Sequence, residues 1–134
     1  MDTAATVVID WSSAEPVYVQ IARQIRGRIA SGDLAPGLVL PPVRVLASDL
    51  GVNLNTVARA YWLLEEEGFL KIRSRSGAEV TAPSRDADPA TVERLRQELA
   101  AALSRMRQAG LTLSEVRQQA ERELAALAGH DPER

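Results

Sequence analysis

LGVNLNTVARAYWLLEEEGFL, residues Leu50 to Leu70, decides the fold. Gly51 stops whatever precedes it, and Asn53 is a good cap for a new helix. Val57, Ala60, Tyr61 and Leu64 then recur at helical spacing and predict one inward face. Gly68 ends the run, and Phe69 and Leu70 begin something extended. The outer face is unusual in offering Leu54, Asn55 and Ala58, with no charge among them.

Working outward, a second short helix is predicted just upstream, in VRVLASDLG, with Val43, Leu46, Ala47 and Leu50 on its buried side. Before it, DLAPGLVLPP is punctuated by Pro36, Gly37, Pro41 and Pro42 and reads as a loop. SSAEPVYVQIARQIRGRIASG predicts a longer helix, opened by Pro16, stopped by Gly32, and apolar at Val17 or Tyr18, Ile21, Ile25 and Ile29. TVVID, Thr6 to Asp10, is short and β-branched, so a strand is expected there. Downstream, FLKIR and AEVTA flank SRSG and predict a hairpin. Strand, helix, helix, tight turn, helix, hairpin is the winged helix-turn-helix plan. No single element is large enough to bury its own apolar face, so the three helices and the small sheet must share one core.

APSRDADPA, Ala82 to Ala90, is a proline-bearing polar connector. Two helices are predicted beyond it. Asp88 and Pro89 open the first, where Val92, Leu99 and Met106 are one heptad apart, Leu95 and Ala102 repeat likewise, and Leu103 widens the stripe. Gly110 ends it. Thr112-Leu113-Ser114-Glu115 is a capping-box pattern that opens the second, which carries Leu113, Val116, Ala120, Leu124 and Leu127 on one face. Both stripes need a further surface, either the first block or a second copy of the chain; a symmetric dimer is the commonest arrangement. The expected fold class is therefore α+β and mostly helical. Residues 1–82 form a winged helix-turn-helix, and residues 83–134 form a linker and a two-helix C-terminal dimerisation segment.

Composition narrows the function. The 134 residues are 46% apolar, 25% charged and 4% aromatic, with no cysteine, which excludes a disulfide framework, a thiol nucleophile and a thiolate metal site. No apolar run approaches bilayer length, and the first residues, MDTAATVVIDW, lack the basic start of a secretory signal, so a cytoplasmic protein is expected. With one histidine, His130, and no phosphate-binding glycine loop, no catalytic site, cofactor or metal is expected. The net charge is −2, a mild argument against nucleic acid. Residues 14–82, however, hold eight cationic and seven acidic side chains, more positive than the rest of the chain.

The residues from Pro16 to Arg73 resemble the N-terminal DNA-binding domain of GntR-type bacterial transcription regulators. The resemblance runs without a gap through about half the chain. It is carried by Pro16, Tyr18, Gln20 and Ile21, then Gly32, Leu34, Pro36 and Gly37, then Leu40, Pro41, Arg44, Leu46 and Ala47. Leu50, Gly51, Val52, Asn55, Thr56, Val57, Ala60 and Tyr61 continue it, and Leu64, Glu67, Gly68 and Leu70 close it. The short helical remainder is similar to the YtrA-type subgroup, whose small C-terminal part serves in dimerisation.

The resemblance implies a third helix in the major groove and a hairpin wing at the adjacent minor groove of double-stranded DNA. Arg44 falls on a family arginine that reaches DNA, against the alternative of a solvated arginine. Asn53, Asn55 and Thr56 open the recognition helix; Asn53 is expected to cap it, while Asn55 and Thr56 can reach DNA or cap the first turn. Leu54 stands where the family often has arginine; it cannot pair with guanine but can touch a thymine methyl. Arg59 can reach the DNA backbone or pair with an acid such as Glu66. In the wing, Arg73, Ser74, Arg75, Ser76 and Gly77 are expected contacts, although Arg75 and Glu79 depart from the family's glycine-rich, aromatic pattern. Pro42 replaces a capping serine. Glu65 and Glu66 are expected to be solvated, and Glu67 structural.

The expected function is a sequence-specific regulator, a repressor that binds a palindromic operator as a homodimer. The expected dimer contacts are Val92, Leu95, Leu99, Ala102, Leu103, Met106, Val116, Ala120 and Leu124. An effector of unknown identity would act by shifting the two DNA-binding heads. The alternative is a winged-helix interaction scaffold that no longer reads DNA, towards which Leu54, Ala58 and Glu79 lean.

Overall fold

The structure, a computed structural model, describes residues 7–84 and 86–128. The chain divides into two compact units, with the break between Pro83 and Ser84.

The first unit runs α1 (Val17–Ala30), β1 (Val39–Leu40), α2 (Val43–Leu50), α3 (Leu54–Glu66), β2 (Leu70–Ile72) and β3 (Ala78–Val80). A single 3-10 turn, Ser74–Ser76, joins β2 to β3. Every helix turns its predicted apolar face to a common core. Ile21, Ala22 and Ile25 come from α1, Leu46 and Ala47 from α2, and Val57, Ala60, Tyr61 and Leu64 from α3. Leu34, Leu40, Leu70, Ala78 and Val80 close the core from the loop and the sheet. Each buried Val, Leu or Ile among them contributes about 1.5–3 kcal/mol. Ion pairing adds less. Arg26 of α1 reaches Glu67, after α3, at 2.8 Å, so Glu67 ties the end of α3 to α1.

The sheet is antiparallel with strand order β1-β3-β2, pairing Leu40 with Ala78, Leu70 with Val80 and Ile72 with Ala78. β1 lies inside the stretch expected to be a loop; two residues between prolines are too few to show alternation. Gly77 is what lets β1 and β3 meet. Its φ is +106°, and a Cβ there would press into the Leu40 carbonyl oxygen.

The strand expected at Thr6–Asp10 does not form over the described residues 7–10, and Thr6 lies outside them. The chain there pairs with side chains instead of a strand. Val8 donates its N–H to Gln24 Oε1 at 2.9 Å and accepts from Gln24 Nε2 at 2.8 Å. Asp10 donates to Gln20 Oε1 at 2.8 Å and accepts from Gln20 Nε2 at 3.1 Å. The geometry explains the match: two extended residues advance about 6.6 Å, and four helical residues advance about 6 Å. Two glutamine amides one turn apart on α1 thus stand in for a neighbouring strand, and buried Gln20 is fully satisfied because of it.

The second unit is a helical hairpin, α4 (Pro89–Gln108) and α5 (Leu113–Leu127). Asp88 caps α4, accepting from the Thr91 N–H at 3.2 Å and its hydroxyl at 2.9 Å. Gly110, at φ +112°, breaks the chain between the helices. Thr112 and Glu115 form the expected capping box: Thr112 N–H donates to Glu115 Oε1 at 2.8 Å, and Glu115 N–H donates to Thr112 Oγ1 at 3.1 Å. Val116 is buried, while Ala102, Leu103, Met106 and Ala120 are half-buried. Val92, Leu95, Leu99 and Leu124 are exposed, Leu99 by 57%. None of the described helices is long and apolar enough to cross a membrane.

Candidate nucleic-acid interface

Two rigid links set the relation of α2 to α3. Gly51 takes the left-handed conformation that ends α2, and the Val52 N–H turns back to the Ala47 carbonyl at 3.0 Å. Asn53 then caps α3, its Oδ1 accepting from the Asn55 N–H at 2.8 Å. The Asn53 side chain is therefore occupied by the backbone, as expected. On the other side, the buried Tyr61 hydroxyl donates to the Pro41 carbonyl at 2.8 Å and pins the start of α2 to the middle of α3. Burial pushes the tyrosine pKa upward, which keeps it a donor.

The wing is fixed at its root and its tip. Glu65 is exposed, as expected, and also accepts from the Ile72 N–H at 2.8 Å, which joins α3 to β2. At the tip, Arg73 N–H bonds the Gly77 carbonyl at 2.7 Å, and Ser74 has a φ of +53°.

These links bring α2, α3 and the wing to one place. Pro42, Val43, Arg44, Leu54, Ala58 and Ser74 line an open depression of about 340 Å³. Of the residues expected to meet DNA, Arg44, Leu54 and Ser74 are together there. Asn55 is exposed on the next position of α3, and Thr56 is half-buried in its first turn. Ser76 is exposed on the wing turn; Arg75 shares that turn by its backbone, and its side chain lies outside what is described.

Three expected contacts are placed differently. Arg59 lays its guanidinium over the Tyr18 ring, 3.9 Å from the centroid, rather than pairing with Glu66. Tyr18 sits half-buried on α1, so this arginine is drawn to the α1 side of α3. Arg73 pairs with Glu79 at 2.9 Å across the hairpin. Gly77 is buried against β1 and shapes the wing without presenting a surface. Pro42 and Val43, which line the depression, were not among the expected contacts. Nor was Trp62, 67% exposed on α3; its spacing of four from Ala58 and eight from Leu54 was the available signal. Among the described residues no cluster of acids and histidine could hold a metal, and His130 lies outside them.

A helix-turn-helix braced on a three-stranded wing, with the start of α2, the outer face of α3 and the wing turn converging, defines the class: winged helix-turn-helix, DNA-binding transcription regulators. The chain belongs to the GntR family of bacterial regulatory proteins, whose family model matches residues 17–80. It is 33% identical over 106 residues to the uncharacterized HTH-type transcriptional regulator YhcF of Bacillus subtilis (strain 168), covering 79% of this chain and 88% of that one. It is 42% identical over 65 residues to the HTH-type transcriptional repressor YtrA of the same organism, a match spanning 48% of this chain and 50% of YtrA. Among solved structures, YtrA from Sulfolobus acidocaldarius, a GntR-family transcription factor, is 40% identical with a TM-score of 0.60, covering 74% of this chain and 98% of that one. These similarities and the short helical second unit give the YtrA type within the family. Other curated relatives are matched over part of their length, 57% in one case and 16% in another.

Proposed function

We propose that the protein is a homodimeric repressor that recognises a palindromic operator. In this reading α3 enters the major groove, which admits a helix and carries the distinguishing base pattern, and the wing lies along the neighbouring minor groove. Arg44, Asn55, Thr56 and Leu54 meet DNA from α2 and α3, and Ser74, Arg75 and Ser76 meet it from the wing. Arg59 and Arg73 join them only by leaving Tyr18 and Glu79. The observation that carries the reading is the convergence of Arg44, Leu54 and Ser74 from three separate elements on one depression. Repression is taken from the name of the B. subtilis relative, a repressor.

Pairing of two chains is supported by the second unit, where Val92, Leu95, Leu99 and Leu124 remain exposed along the apolar faces of α4 and α5. Val116 is already buried within the single chain, which leaves it little area to give a partner. A twofold-symmetric pair would match a twofold-symmetric duplex, with half-site spacing set by the pair. The expected setting is the cytoplasm, with double-stranded DNA as the partner.

The experiment is selection of bound fragments from random duplex DNA, followed by titration of the winner with the wild-type chain and with Leu99→Glu. The reading expects an inverted repeat, affinity that falls steeply with salt, and much weaker binding by the variant at low protein concentration. Equal operator affinity of the variant under those conditions would remove pairing from the account. Failure to enrich any sequence would favour the interaction scaffold.

A further inference from the structure

The outer face of α3 carries Leu54, Ala58 and Trp62 at four-residue spacing, which sets them on one side of the helix. Leu54 is 51% exposed, so an apolar stripe faces outward from an element whose other face already fills the core. At the N-terminal end of that stripe the depression is walled by Pro42 and Val43, and Arg44 and Ser74 are its only polar lining residues. No acid lines it. Among the described residues Arg44 makes no ion pair or hydrogen bond, so its guanidinium is available to a ligand. An apolar floor beside an uncommitted cation suits one partner in particular, a polyanion that also presents a small apolar group.

Resting on the DNA-reading function above, we propose that this depression reads the 5-methyl group of a pyrimidine in the major groove. Leu54 and Ala58 make the contact, and Arg44 pairs with a neighbouring guanine. The base edges of the major groove offer acceptors, amino donors and one apolar feature, that methyl group. Leucine and alanine cannot satisfy an acceptor. Pressing guanine O6 or N7 against them would bury a polar atom without a partner, which costs more than the contact returns. The same floor against a methyl group removes apolar surface from water on both sides. The apolar pair therefore rejects guanine and favours a 5-methylpyrimidine, while Arg44, whose planar fork fits guanine O6 and N7, supplies the adjacent step. Thymine and 5-methylcytosine present the group at the same place.

The test uses the full chain and a duplex selected from a random pool. Each half-site thymine is replaced in turn by deoxyuridine, which deletes only the methyl group, and each half-site cytosine by 5-methylcytosine. Uracil at one or two half-site positions is expected to weaken binding about four-fold per methyl group removed. Should methylation of a cytosine strengthen binding by a like factor while uracil has no effect, the source is 5-methylcytosine. The variants Leu54→Asn and Ala58→Ser, both at the surface of α3, should erase the discrimination while leaving the salt dependence unchanged. Equal affinity for every methylated and unmethylated duplex overturns the inference and leaves the DNA-binding reading intact. Absence of binding to any duplex overturns both.

Discussion

The two units use amphipathic helices to different ends. In the first, α1, α2 and α3 turn their apolar faces to one core, where Ile25 and Leu64 are at most 1% exposed. In the second, α4 and α5 are joined by a turn and each is capped at its start, but Leu99 and Leu124 stay more than half exposed. Helical periodicity tells which face of a helix is apolar; it does not tell what covers that face. The first unit supplies its own cover. The second presents its apolar faces to whatever meets them, and the proposed cover is a second chain.

Core truncation gives the sharpest contrast. Leu64→Ala should cost about 2–5 kcal/mol of first-unit stability, read as a lower denaturation midpoint at unchanged slope. Leu99→Ala in dilute solution should stay within about 0.5 kcal/mol and act instead by weakening self-association. If both variants cost the same at high dilution, the contrast between the units is lost. Next in size is Gly77→Ala, which puts a side chain at φ +106° and into the Leu40 carbonyl. Positive-φ strain alone costs about 1–3 kcal/mol, and the wing should detach from β1 before the helices melt, visible as selective loss of amide-exchange protection at Val80 and Leu40.

A smaller effect concerns charge. Glu79→Gln should release Arg73, and because an exposed pair is worth about 0.2–1 kcal/mol, operator affinity should rise by at most about five-fold. The salt slope should steepen by about one. Unchanged slope would mean that Arg73 takes no part in DNA binding.

The smallest effect belongs to the second unit. The Glu115 carboxyl is held below its ordinary value of 4.5, first by the Thr112 backbone N–H and then by the Thr112 hydroxyl. Glu93 is lowered likewise by Arg96, and then by Gln97. A lowered pKa in the folded state gives stability that is fully present above the ordinary value and is lost as pH falls through the folded one. Helicity of α4 and α5 should therefore decline below about pH 4.5, and Glu115→Gln with Glu93→Gln should flatten that part of the circular dichroism titration.

Much of this was legible in the sequence. Asn53, Asp88 and the Thr112–Glu115 pair are local signals, each satisfied within a few residues, and all three cap as read. The inward face of α3 is equally local. What the sequence did not disclose depends on distant partners. Val8 and Asp10 look like part of a strand because Thr6 to Ile9 are all β-branched, yet their backbone groups are met by Gln20 and Gln24 of α1. Glu65 is exposed as read, but its bond to the Ile72 N–H depends on where β2 lies. Arg59 could have turned to DNA or to Glu66, and only the packing of α1 supplies Tyr18. In the interface, Arg44 and Leu54 were readable from position within the family pattern, whereas Pro42 and Val43 line the depression through the packing of α2 on α3 and the Tyr61–Pro41 hydrogen bond.

The most direct test of the central claim is a stoichiometric titration of the selected duplex, followed by sedimentation so that the mass of the complex is read outright. Two chains on each inverted repeat, with a single half-site bound far more weakly, is the predicted result. One chain per duplex with undiminished affinity, or no complex even in low salt, would contradict it.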